Sequence, residues 1–182
     1  LTATKDYSDS TGGNPIKNDM FTFMVKPVGD EAATAPMDDS LVAEGTTGAD
    51  RYIAAGVKVD AGETPTADFG TAHFNFDGHN HTFYYEVVEA LNVDGTWKPV
   101  AKAITANESG AYVQNGVTYD PSTFTVKVEV TYDDANHMSD SEMTLYKGTY
   151  DEVSKASEDE LNGMKVDPDK GITFSNSYGT EG

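Results

Sequence analysis

The chain has no cysteine among its 182 residues, which excludes disulfide bonds and thiolate metal sites. It is also poor in positive charge, with 12 basic against 31 acidic residues and a net charge of −19. Nucleic acid and anionic membrane surfaces are therefore not expected as partners. No run of the sequence approaches the ~18 apolar residues of a membrane-spanning helix. A secreted protein stabilised by something other than disulfides fits these absences.

The residues that are present indicate a folded protein. Ten Tyr, eight Phe and one Trp supply the bulk for a packed core. The length suits one large or two small domains. Since the chain begins at Leu1 rather than at Met, we expect it to be a piece of a longer protein.

Alternation of apolar and polar residues predicts most of the secondary structure, because successive side chains of a strand point to opposite faces. Strands are predicted at residues 1–7, 20–26, 69–76, 82–90, 124–132 and 171–178. We expect a hairpin to join the third and fourth of these strands. Asn115–Gly116 marks a turn, and residues 133–140 form an acidic loop. Weaker extended segments lie at residues 52–59, 98–106, 111–113 and 143–146.

Two short helices are predicted, at residues 38–43 and 151–161, the second capped by Ser154 or Ser157. Many short strands with few helices indicate an all-β fold, an Ig-like β-sandwich with short helical insertions. The sequence contains no repeat and no linker-like break. We therefore expect a single domain over residues 1–182, with an embellished insertion around residues 27–68.

Three polar residues interrupt the apolar rows of the predicted strands: Lys5 near the start of the chain, Glu89 in the middle and Asn176 near the end. Each has an ordinary explanation when taken alone. Lysine and glutamate near strand ends usually reach solvent, and an inward Asn usually caps a loop. A buried amide without partners costs roughly 1–3 kcal/mol, so Asn176 needs something to face.

Short sequence motifs around these residues occur in the same order as in a known family. The motifs are Ala3-Thr4-Lys5, Phe21-Thr22-Phe23, the run from Thr82 to Glu89, Val117 to Pro121 followed by Phe124 to Val128, and Phe174 to Tyr178. This arrangement resembles the pilin isopeptide-linkage family of streptococcal-type major pilins and related Gram-positive surface proteins. The resemblance covers both ends of the chain and most of residues 69–132.

The resemblance implies a spontaneous isopeptide bond between Lys5 of the first strand and Asn176 of the last, assisted by Glu89. Glu86 is the other acid nearby, but alternation along the strand favours Glu89. The implied protein is not an enzyme with turnover and needs no cofactor or metal. The resemblance further implies an extracellular, cell wall-anchored protein of a Gram-positive bacterium. Its partners would be neighbouring domains or pilin subunits, with a host ligand as a further candidate.

Such a bond has a chemical requirement that follows from the residues themselves. A neutral lysine must attack the amide while a protonated acid assists the departure of ammonia. In water the pKa of Lys is about 10.4 and that of Glu about 4.3, which gives the opposite protonation states. Burial moves each pKa by up to ~3–5 units toward neutrality. We expect an aromatic environment made by Phe21, Phe23, Tyr85, Phe174 and Tyr178.

Other functions leave weaker signals. A ligand-binding β-sandwich adhesin or carbohydrate-binding module would use Tyr52, Trp97 and Tyr112 as surface platforms. His79 and His81 flank a predicted turn and are interpreted as turn residues rather than as metal ligands. Several loop acids have the ligand type that calcium prefers but match no complete calcium-binding loop, so we expect solvated loops: Asp133, Asp134, Asp140, Glu142, Asp167 and Asp169. No catalytic arrangement of Ser, His and acid is legible, which ranks an ordinary enzyme last.

Overall fold

The structure is a computed structural model that describes residues 1–179. Strands account for 42% of the residues and helices for 11%, which makes the fold all-β. The elements in chain order are β1 (Thr2–Asp9), β2 (Thr22–Val28), a 3-10 helix (Gly48–Asp50), β3 (Ile53–Gly56), β4 (Thr66–Asp68), β5 (His81–Val93), β6 (Thr96–Pro99), α1 (Val100–Ala103), β7 (Tyr112–Gln114), β8 (Val117–Tyr119), β9 (Thr123–Asp133), β10 (Met138–Lys147), α2 (Tyr150–Lys155), α3 (Glu158–Met164) and β11 (Ile172–Tyr178).

The strands form two sheets that pack face to face. One sheet has the order β4-β1-β11-β8-β7, and the other has the order β10-β9-β5-β2-β3, with β6 also paired to β5. This confirms the prediction of an all-β, Ig-like β-sandwich with short helical insertions. The first and last strands, β1 and β11, are parallel neighbours, with Lys5 opposite Phe174 and Tyr7 opposite Asn176. The first and last strands therefore lie side by side within one sheet.

The core lies between the sheets and follows the alternation of the strands. In β11 the side chains of Ile172, Phe174 and Asn176 are buried, while those between them are more exposed. The ring of Phe174 packs on two rings of the opposite sheet, with centroids 4.6 Å from Phe23 and 5.2 Å from Phe124. Aromatic packing of this kind adds to area burial and fixes the spacing of the sheets.

The predicted strand at residues 69–76 and its hairpin are wrong. This segment pairs with no strand, and β5 instead lies between β9 and β2 in its sheet. Its apolar residues pack against the core: Phe69 is buried, and the ring centre of Phe74 lies 5.9 Å from that of Phe83. Gly70, with φ of +81°, turns the chain away from an extended course, so alternation here reflects packing without pairing.

The helix predictions were partly wrong. Residues 38–43 form only a hydrogen-bonded turn, in which the Asp38 carboxylate accepts from the Ser40 N–H and hydroxyl. Residues 151–161 form parts of two helices, α2 and α3, rather than one. Ser157 is the N-cap of α3, so the predicted helix is interrupted at this residue. Thr149 rather than Ser154 caps α2. Residues 98–106 are extended only to Pro99, after which α1 begins, and the acidic loop is shortened to residues 134–137 between β9 and β10.

Within residues 1–179, no helix is long and apolar enough to cross a membrane. A single domain over residues 1–182 stays a prediction, and its last three residues, 180–182, lie outside the described part. The predicted insertion at residues 27–68 contains the end of β2, the 3-10 helix, β3 and β4.

Candidate functional site

The three polar residues that interrupt the apolar rows meet in the core. Lys5 lies on β1 and Asn176 on the adjacent β11, while Glu89 lies on β5 of the opposite sheet. Their exposed fractions are 1% for Lys5, 1% for Glu89 and 4% for Asn176. The register of the parallel pair sets Lys5 and Asn176 two positions apart on the inward face. The sandwich thus brings together residues that are far apart along the chain.

One oxygen of Glu89 joins the other two side chains. Glu89 Oε2 accepts a hydrogen bond of 2.8 Å from Lys5 Nζ and another of 2.8 Å from Asn176 Nδ2. The ion pair of Lys5 and Glu89 has no exposed side-chain surface. A buried pair of this kind persists only with good geometry and full hydrogen bonding. Among the described residues, no buried side-chain nitrogen or oxygen lacks a partner.

A backbone group completes the site. The N–H of Asp120, which follows β8, donates to Asn176 Oδ1 at 3.0 Å and to Glu89 Oε1 at 3.3 Å. A backbone N–H can only donate, so it must face the oxygen of the Asn176 amide. This contact fixes the orientation of the amide, with its nitrogen toward Glu89 and its carbonyl oxygen toward Asp120.

Aromatic rings surround the lysine. Nζ of Lys5 lies 4.8 Å from the ring centre of Phe21, 5.0 Å from that of Phe23 and 5.9 Å from that of Phe174. Rings at these distances attract a lysine ammonium through their negative faces. They also exclude water from the amine, and this desolvation is the largest influence on its pKa.

Burial shifts the pKa of each of the two ionisable groups in the direction that favours its uncharged form. Desolvation lowers the pKa of Lys5, opposed by the charge of Glu89 and its hydrogen bond. Desolvation likewise raises the pKa of Glu89, opposed by Lys5 and by the hydrogen bond from Asn176. Because the two groups share a 2.8 Å hydrogen bond, one proton moving from Nζ to Oε2 would give a neutral amine beside a neutral acid.

The geometry therefore combines three chemical elements of acyl transfer. An amine that burial drives toward its nucleophilic form lies beside an amide, and a carboxyl group touches both nitrogens. A backbone donor faces the amide oxygen, where negative charge would develop during attack.

The sequence predicted some neighbours of this site and missed others. Phe21, Phe23 and Phe174 surround Lys5 as expected. Tyr85 instead donates its hydroxyl hydrogen bond to the Pro36 carbonyl, 2.6 Å away, because the inward face of β5 continues beyond the site.

Tyr178 makes no ring contact with Lys5 Nζ in the described part of the chain. Tyr119, which was not predicted, lies against Phe21 at 6.2 Å between ring centres. Burial and the nearby charge of Glu89 raise the pKa of Tyr119.

The two acids of β5 have different partners. Glu86 accepts a hydrogen bond from the Tyr150 N–H at 2.9 Å and so holds the first turn of α2. It lies on the other face of the strand from Glu89, as alternation predicts. Asp120 belongs to a segment that carried the family resemblance, but no role was predicted for it. The only signal in the sequence was its position before Pro121 at the end of a strand.

The other candidate sites have structural partners. His81 contacts Glu31 at 2.6 Å and Asp77 at 2.9 Å, and these hydrogen bonds raise its pKa. Residues 1–179 contain no group of three or more His, Asp and Glu side chains placed to hold a metal ion. Tyr52, Trp97 and Tyr112 are each partly buried, which does not favour them as surface platforms.

Comparison with known proteins places the chain in a family. The sequence model of the FctA family, the Spy0128-like isopeptide containing domain, matches residues 1–179. The major pilin from Streptococcus pyogenes is 22% identical, with a TM-score of 0.47, over 98% of this chain and 50% of that one. Two mutants of that pilin are each 21% identical over the same shares, with TM-scores of 0.46 and 0.45.

The chain thus spans about half the length of these pilin structures. No curated protein matches it. Since the family model covers almost all of the sequence, the chain belongs to the Spy0128-like isopeptide containing domain family.

Proposed function

We propose that this chain is a structural domain of a Gram-positive surface protein, a pilin or an adhesin, that crosslinks itself between Lys5 and Asn176. The observation that carries the proposal is the shared contact of Glu89 Oε2 with both reacting nitrogens. Membership of an isopeptide-containing family supports it independently. The surface setting rests on the family resemblance, and sister domains or pilin subunits would be the partners.

The reaction begins with the neutral pair. The lone pair of Lys5 Nζ attacks Cγ of Asn176, and the electrons of the amide C=O move onto Oδ1. Glu89 donates its proton to Nδ2 and takes one from Nζ, so that the carboxyl group ends as it began. The C–N bond to Nδ2 breaks, the C=O bond re-forms, and ammonia leaves.

The fold supplies the rest of the catalysis. Two strands of one sheet hold the amine and the amide, and a strand of the other sheet holds the acid, so the encounter costs no further entropy. Exclusion of water by Phe21, Phe23 and Phe174 favours the neutral reactants. The reaction happens once per molecule, which distinguishes the domain from an enzyme.

Intact-mass spectrometry of the folded protein tests the proposal. We expect a mass lower than that of the sequence by one ammonia. The full mass should return in each of three variants: Lys5→Ala, which removes the nucleophile, Asn176→Ala, which removes the electrophile, and Glu89→Ala, which removes the acid. Glu86→Ala is the matched control, since Glu86 lies on the same strand but contacts α2, and it should leave the ammonia loss intact. A wild-type protein of full mass would overturn the proposal.

A further inference from the structure

The carboxylate of Asp120 ties its loop to the strand that carries Asn176. Asp120 Oδ2 accepts a hydrogen bond of 2.8 Å from the backbone N–H of Ser175, and Oδ1 accepts one of 2.9 Å from the N–H of Ser122. Both are bonds of a charged acceptor to backbone donors, which are stronger than neutral ones. The side chain therefore bridges its own loop and β11 one residue before Asn176.

The backbone of the same residue points the other way, into the core. Its N–H lies 3.0 Å from Asn176 Oδ1 and is shared with Glu89 Oε1 at 3.3 Å. Pro121 follows directly and favours an extended backbone at Asp120. The hydrogen bonds to Ser175 and Ser122 hold the carboxylate, so the N–H and the side chain are both fixed in place. A donor held in advance at the oxygen that gains charge lowers the barrier without reorganising during the reaction.

We propose that Asp120 forms a one-residue oxyanion site, in which its N–H stabilises the charge that develops on Asn176 Oδ1 while its carboxylate fixes the loop to β11. This inference rests on the proposed function and adds a catalytic backbone group to it. The N–H is the catalytic element, because it touches a reacting atom. The carboxylate is a positioning group, because it acts through the backbone of Ser175 and Ser122.

Asp6 provides a matched control for the charge of Asp120. Both carboxylates raise the pKa of Lys5, and the Asp6 carboxylate lies 3.4 Å from the hydroxyl of Ser175. Asp6 therefore shares the charge effect and the neighbouring residue, but it makes no contact with the amide of Asn176. Loss of either charge favours the neutral amine, so a charge effect alone would leave bond formation as fast as before or faster.

The test measures bond formation separately from folding. The chain of residues 1–182 is isolated unfolded, refolded by dilution and quenched at intervals. The fluorescence of Trp97 follows folding, and the intact mass follows the loss of ammonia. In the first variant, an ester oxygen replaces the N–H of Asp120, introduced as the α-hydroxy acid by nonsense suppression. We expect ammonia loss to slow by about 10²-fold while refolding is retained. The same ester at Ser109, whose N–H faces Asn107 in an exposed loop, should leave the rate unchanged.

The second pair of variants keeps the inference testable if the ester protein does not fold. Asp120→Ala should slow ammonia loss by at least about tenfold, whereas Asp6→Ala should react at the wild-type rate or faster. A wild-type rate in the folded ester protein would overturn the oxyanion site. If the ester protein does not fold, a wild-type rate in Asp120→Ala, or equal slowing by Asp120→Ala and Asp6→Ala, would overturn it instead. A wild-type protein that never loses ammonia would instead overturn the proposed function, so the two failures are distinguishable.

Discussion

Glu89 is surrounded by three hydrogen-bond donors and by almost no solvent, and the two features act on its pKa in opposite directions. Burial raises the pKa, while Lys5, Asn176 and the Asp120 N–H favour the charged form. The balance lets one carboxyl group both give and accept a proton during the proposed reaction. If Lys5 is removed, its opposing charge and hydrogen bond disappear, and burial is then opposed only by the hydrogen bonds from Asn176 and from the Asp120 N–H.

Lys5→Met is therefore expected to make stability fall as the pH rises. Burial holds the pKa of Glu89 in the folded variant above its unfolded value of about 4.3. The contribution of the neutral acid to the free energy of unfolding is therefore fully present below the unfolded pKa. It is lost as the pH rises through the folded pKa. Within this window the slope is about 1.4 kcal/mol per pH unit. Urea unfolding at several pH values measures it, with the double variant Lys5→Met/Glu89→Gln as the control. Parallel pH profiles for the two proteins would contradict the assignment.

The three polar side chains that meet in the core could be predicted from the sequence, but the backbone donor could not. Lys5, Glu89 and Asn176 each interrupt an apolar row, and strand alternation makes such an interruption visible in a local window. The N–H of Asp120 has no side-chain signature. Its position opposite Asn176 depends on β8 lying beside β11, which is a tertiary property.

The segment that follows β2 is organised by Arg51, the only arginine in the sequence. Arg51 donates from Nε to the Gly48 carbonyl at 2.7 Å and from one terminal nitrogen to the carbonyls of Ala32, Ala33 and Ala35 at 3.0, 3.3 and 2.8 Å. Sequence patterns could not predict the structure of this segment. Its carbonyls accept hydrogen bonds from the Arg51 side chain rather than from the backbone of a helix or a sheet, and such contacts leave no periodic pattern in the sequence. The forked guanidinium reaches both groups of carbonyls, which an ammonium cannot do.

Arg51→Lys should consequently destabilise the protein by about 2 kcal/mol, through the loss of charged hydrogen bonds to partly buried carbonyls. Chemical denaturation measures the change in the free energy of unfolding. Lys58→Ala is a suitable control, because its ion pair with Asp19 at 2.8 Å is largely exposed and contributes little. An Arg51→Lys protein as stable as the wild type would show that the segment after β2 is held by other contacts.

The wrong strand at residues 69–76 shows what alternation can and cannot report. Alternation reports which side chains face the core, and it did so correctly for residues 82–90, 124–132 and 171–178. It does not report whether the backbone has a partner strand. In residues 69–76 the side chains of Phe69 and Phe74 pack on the core, but the backbone pairs with no strand. The alternation of apolar residues therefore reports burial correctly although no β-strand forms.

Across the whole molecule, the proposed bond would close a loop that contains almost every residue between β1 and β11. By the chain-entropy relation used for disulfides, such a closure stabilises by roughly 5 kcal/mol. The parallel pairing of β1 and β11 also means that the crosslink joins the strands nearest the two ends of the chain. Tension applied to the ends would then pass through the bond and bypass the rest of the sandwich.

Glu89→Gln keeps the volume of the core but lacks the proton transfer, so it should fold without the crosslink. We expect its midpoint of thermal unfolding to lie about 10–20 °C below that of the wild type. The denaturant dependence of its unfolding free energy should also be steeper, because an uncrosslinked chain exposes more surface when it unfolds. Equal steepness together with equal midpoints would contradict a crosslink that restricts the unfolded chain.

Tandem mass spectrometry of a tryptic digest tests the central claim most directly. Trypsin does not cleave after an acylated lysine, so the account predicts one branched product in which residues 1–17 and 171–182 are joined through Lys5 and Asn176, lighter by one ammonia than the two peptides together. Free peptides 1–5 and 171–182, each at its full mass and with no branched product, would contradict the account.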